Sequence, residues 1–116
     1  MKNNYSLYAL LEGSNKAKKL FLEYVIEVGE VDIYTPASNF RLYSIYLYDF
    51  FDAQQLICAV RTDRHFKYVP VIDDKSLEET KTHIWSKHGL ETREEAEFIM
   101  FQKAFQYLET KLENND

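Results

Sequence analysis

The sequence predicts an α+β domain, an antiparallel meander of about four strands with helices packed on one face, in the order α-β-β-β-β-α-α. Three observations carry this. Thr92 to Leu112 has the apolar period of one long amphipathic helix. The middle of the chain holds short runs of aromatic and β-branched residues broken by turn chemistry. No repeat, low-complexity tract or linker divides residues 1–116, which have the length of one domain with its own core.

The first apolar run, Tyr5 to Leu11, reads as a short helix or an extended arm and is interrupted by Glu12, Gly13 and Ser14. Ser14 then caps a second helix that sets Ala17, Leu20, Phe21, Tyr24 and Val28 on one face and stops at Gly29. Lys16, Lys18 and Lys19 lie in its first turns, the end where the helix dipole disfavours cations. A solvated lysine face is the plain explanation, and an anion contact at the helix N-terminus the sharper one.

Val31 to Thr35 predicts a strand, Pro36-Ala37-Ser38-Asn39 a hairpin turn, and Phe40 to Tyr48 a central strand with bulk on both faces. Asp49 to Gln55 reads as a turn or bulge, Leu56 to Thr62 as a third strand, Asp63-Arg64-His65 as a tight connection and Phe66 to Ile72 as a fourth strand. Because Pro70 cannot donate to a ladder, that strand is expected at an edge or a bulge. Ser76 with Glu79 makes a capping box for a helix from Leu77 to Lys87 anchored by Leu77, Ile84 and Trp85, closed by His88-Gly89.

The terminal helix is marked at both ends. Thr92 and Glu95 form a capping box, acids fill the first turn, and Lys103 and Lys111 come later, as the dipole favours. Phe98, Phe101, Phe105, Leu108 and Leu112 make the core stripe, and Met100, Ala104 and Tyr107 form a second row beside it. Glu113 to Asp116 is a polar tail expected to fray.

Composition narrows the function. Net charge is −5, which repels polyanions unless a basic patch is segregated. The single Cys58 sits in an apolar strand, a setting that makes a thiol inert and suits a cytoplasmic location. No run approaches the length of a membrane span. His83 and His88 are five residues apart, a poor spacing for zinc, and Asp49, Asp52, Asp73 and Asp74 follow no calcium-loop pattern, so no metal or other cofactor is expected. Cys58 with His65 and Asp63 nominally supplies a nucleophile, a base and an acid, but lacks the electropositive setting of a reactive thiol.

These readings predict a small intracellular protein-interaction or regulatory module that self-associates, with a homodimer or a protein partner expected and no catalysis. Its interface is expected at Met100, Ala104 and Tyr107 on the terminal helix with Tyr43, Tyr46 and Tyr48 on the sheet. The alternative is binding of single-stranded nucleic acid through Arg61, Arg64 and Lys67, with Tyr43, Tyr46, Tyr48 and Tyr68 as stacking platforms on an open sheet face.

Overall fold

The computed structural model describes residues 5–29, 39–77, 79, 81–84 and 89–114. It is an α+β fold with a three-stranded antiparallel sheet in the order β1-β2-β3 among these residues. Helix α1 (Leu7–Leu11) is capped by Ser6, whose hydroxyl accepts the Ala9 N–H at 3.1 Å. Helix α2 (Asn15–Tyr24) continues into a π-helical turn at Val25–Gly29. The predicted strand at Val31 to Thr35 and most of its turn lie outside the described residues.

Phe40 to Tyr48 is not a strand. A 3-10 turn (Phe40–Tyr43) leads into helix α3 (Ser44–Ala53), which also absorbs most of the turn expected from Asp49. Composition favoured a strand, but the residues that become buried, Tyr43, Leu47, Phe50 and Phe51, recur at helical steps of four, three and one. Bulk at both odd and even positions, read as a two-sided strand, is what two helical faces look like when one is core and the other is exposed.

Strand β1 (Leu56–Thr62) falls where the sequence places it, and β2 (Tyr68–Asp74) starts two residues later than expected. They pair from Leu56↔Asp74 to Thr62↔Tyr68, and β3 (Lys81–Ile84) pairs with β2 from Val71↔Ile84 to Asp74↔Lys81. Strand β2 is therefore central despite Pro70. Tyr68 exchanges both backbone hydrogen bonds with Leu90, and by strand alternation Pro70 turns to that same side, between this bridge and the first β3 pair. Its missing donor thus faces away from β1 and interrupts no β2–β3 pair among the described residues.

The predicted helix from Leu77 to Lys87 is replaced by β3 at Lys81–Ile84. Its capping box does not form, because the Ser76 hydroxyl and N–H both turn back to Asp74, at 2.5 and 2.9 Å. Residues 85–88 lie outside the described set. Helix α4 (Arg93–Asn114) matches the predicted terminal helix and runs through the start of the expected tail, with the Thr92 hydroxyl accepting the Glu95 N–H at 3.1 Å.

Helices α3 and α4 pack on β1, and α4 also on β2, over the sheet face that carries Leu56, Cys58 and Ile72. The centre is aromatic: Phe21, Phe50, Phe51, Phe101 and Phe105 are all fully buried. Their rings meet mostly edge to face, Phe51 with Phe105 at 4.8 Å and Phe21 with Phe50 at 5.3 Å. Such pairs add about 0.5–1.5 kcal/mol each beyond the area they bury.

Candidate functional site

The buried polar chemistry converges on α4. Glu97, Phe101, Phe105 and Glu109 follow one another at steps of four, so both carboxylates end the row whose middle is the core. Glu97 accepts the Tyr48 hydroxyl at 2.9 Å and pairs with Arg41 at 3.1 Å. Glu109 accepts the Ala17 N–H at 2.8 Å, supplying the first turn of α2 with the cap that the Ser14 side chain does not make. An acidic group thus already occupies this helix N-terminus, and Lys18 lies over the Tyr8 ring. Neither buried glutamate was foreseen. The signal was available, since an acid four residues from a core aromatic shares its face.

A third link joins α4 to the sheet. Asp74 is wholly buried at the end of β2 and accepts from Ser76, from the Tyr107 hydroxyl and from Lys111 at 3.3 Å. Burial pushes its carboxyl up, but the hydrogen bonds from Ser76, Tyr107 and Lys111 outweigh it and hold it at about 2. Burial and the bond to Asp74 push the Tyr107 phenol up to about 12. A hydroxyl kept neutral beside a carboxylate is the opposite of an activated base, so the cluster serves to clamp α4 to β2.

The expected interface residues are mostly interior. Met100 and Ala104 are wholly buried and Tyr43 nearly so, while Tyr107 and Tyr48 are half-buried with their hydroxyls on Asp74 and Glu97. A contact through Met100 or Ala104 would require opening the core. Tyr43, Tyr46 and Tyr48 lie on the 3-10 turn and α3, so they form no sheet face. Tyr46 is half-buried and follows the exposed Ile45.

The outer face of α3 and the turn before it carry exposed apolar surface. Leu42, on the 3-10 turn, is 72% exposed and Ile45, on α3, 68%, and the two are three residues apart. Asp49 and Asp52 are exposed further along α3, while Arg41 is turned onto Glu97.

The β1–β2 hairpin makes a second exposed feature and brings together Arg61, Arg64 and Lys67. Asp63 organises the loop: its Oδ1 accepts the N–H groups of His65 at 2.8 Å and Lys67 at 3.0 Å, and its C=O accepts the Phe66 N–H at 3.1 Å. Those backbone bonds, that from Lys67 foremost, lower the Asp63 carboxyl below its ordinary value. Phe66, next in the loop, is 84% exposed at a φ of +62°. Lys67 pairs with Glu91, and the Arg93 guanidinium lies 5.2 Å from the centre of the Tyr68 ring.

Cys58 points into the core, and burial raises its thiol strongly. Asp63 is five residues further along the extended chain, roughly 15 Å or more away, so the nominal Cys58, Asp63 and His65 arrangement does not assemble. Among the described residues no three His, Cys, Asp or Glu side chains converge as metal ligands. No described helix is long and apolar enough to cross a membrane.

Fold and surface together define an α+β structure whose buried carboxylates tie α4 to α2, α3 and β2, and whose most exposed large apolar side chains are Phe66, Leu42 and Ile45, with Tyr8, Ile26 and Leu77 exposed elsewhere. No protein-family model matches the chain, and no curated protein or solved structure matches it.

Proposed function

We propose that this chain is a protein-interaction module that self-associates as an isologous dimer through the outer face of α3. The observation that carries this reading is the exposure of Leu42 and Ile45, two large apolar side chains three residues apart on one side of the segment. In an antiparallel pairing of two α3 helices about a two-fold axis at Ile45, the Leu42 and Ile45 side chains of one copy cover those of the other. The opposed helix dipoles add to this.

The magnitudes describe a weak dimer. Burying what Leu42 and Ile45 expose in both copies supplies about 4–8 kcal/mol, against roughly 4–15 kcal/mol lost on association, so the dimer dissociates on dilution. Regulation by concentration, or exchange of one copy for another protein with a similar face, follows from that balance. The intracellular, non-catalytic character of the module belongs to the same proposal. It is supported by the inward use of Asp74, Glu97, Glu109 and Tyr107 as structural acceptors and donors.

A cysteine cross-link tests the geometry. Native Cys58 is buried, so Ile45→Cys adds the accessible thiol, and a residue at a two-fold axis bridges to its own copy under mild oxidation. A covalent dimer is expected from Ile45→Cys and not from a cysteine placed at Glu79. Equal cross-linking at both positions would contradict the proposed axis.

A further inference from the structure

We infer that the β1–β2 hairpin tip is a binding site for single-stranded nucleic acid, with Phe66 as the stacking platform for a base and Arg61 and Arg64 as the phosphate contacts. It is a different surface from the α3 face, and its test reads a different ligand.

The argument begins with a residue that the fold does not need. Phe66 closes the turn that starts at Asp63 and takes a positive φ, a conformation suited to Gly or Asn and costly for a bulky side chain. Burial offers no compensation, because the ring is 84% exposed. The loop is nonetheless rigid. Asp63 fixes it from one side through His65 and Lys67, and Gly89 fits against it from another, where any Cβ would collide with Lys67 Cβ. A strained, solvent-facing aromatic on a stiff support is pre-organised to meet a ligand rather than to fold.

Charge selects the ligand. Arg61 near the end of β1 and Arg64 in the loop, two residues before Phe66, are exposed, and Arg93 lies over Tyr68 at the base of the hairpin. The one acid of the loop, Asp63, is turned inward onto backbone N–H groups, and Glu91 neutralises Lys67 only. A local cationic surface therefore stands on a chain of net charge −5. An exposed ring on a hairpin that carries two exposed arginines fits an unpaired base and its adjoining phosphates, the combination that sequence-tolerant single-strand binders use. A membrane surface fits less well, since Phe66 is the only apolar side chain of the loop and its neighbours Arg64, His65 and Lys67 are polar.

Fluorescence anisotropy with a labelled homopyrimidine oligonucleotide tests this on the whole chain, with Phe66→Asn and the double variant Arg61→Gln/Arg64→Gln. Phe66→Asn keeps a residue that tolerates the left-handed region, so its thermal midpoint is expected to equal or exceed that of the parent. Its affinity is expected to fall about tenfold or more. The double arginine variant is expected to flatten the dependence of log affinity on log salt by about 1.4, two phosphate contacts for a single strand. No binding at low salt, unchanged affinity in Phe66→Asn, or co-sedimentation with phosphatidylserine vesicles in place of oligonucleotide binding would each overturn the inference.

Discussion

Glu109 and Ala17 are joined by a hydrogen bond of 2.8 Å across 92 positions of sequence. The carboxylate at the far end of the α4 core row thereby caps α2, so the position of one helix depends on the side chain of another. Glu109→Ala leaves the buried Ala17 N–H without its acceptor and is expected to lower stability by about 1–3 kcal/mol in urea unfolding. Glu109→Gln keeps an oxygen acceptor and is expected to cost less than half as much. Equal losses in the two variants would show that charge, and not the cap, is what matters.

Asp74 and Tyr107 make stability fall at both ends of the pH scale. The Asp74 carboxyl titrates at about 2 in the fold against about 3.9 when unfolded, so its contribution is complete above about pH 4 and is lost as pH falls towards 2. That contribution is on the order of 2 kcal/mol. Tyr107 moves the other way, to about 12 against about 10 unfolded, so its contribution is present below pH 10 and is lost as pH rises through 12. Urea midpoints measured from pH 5 downward are expected to fall more steeply in the parent than in Asp74→Asn. Parallel curves would count against the clamp.

What the sequence disclosed depended on whether local pattern and tertiary demand agreed. At α4 they did: the Thr92 cap and the row Phe101, Phe105, Leu108 point to the same helix that packing requires. At Phe40 to Tyr48 they did not, because aromatic strand formers are laid out at helical spacing, and packing of Tyr43, Leu47, Phe50 and Phe51 decided the outcome. The Ser76 cap failed for a similar reason. A buried Asp74 needed the Ser76 donors more than a helix did. As for the sites, the second row that Met100 and Ala104 form beside the core stripe suggests an interface in the sequence, but both complete the core. Arg61, Arg64 and Lys67 are neighbours in the sequence around the β1–β2 connection, but the positive φ and exposure of Phe66 are visible only in three dimensions.

Gly89 supports the hairpin from beneath. Its φ is +73°, and an added Cβ would collide with Lys67 Cβ and come within 3.2 Å of Asp63 Oδ2. Gly89→Ala is therefore expected to destabilise by roughly 2–4 kcal/mol, combining backbone strain with overpacking. Thermal unfolding measures the loss. A variant as stable as the parent would mean that the loop yields at no cost, and that the rigidity argued for the Phe66 platform is absent.

The claim that Leu42 and Ile45 form a dimer face is tested most directly by sedimentation equilibrium over a dilution series of the parent chain and Ile45→Glu. A dimer in the parent that dissociates on dilution, and a monomer at every concentration in an equally folded Ile45→Glu, is the predicted result. A parent that is monomeric throughout, or a dimer that Ile45→Glu leaves intact, would contradict it.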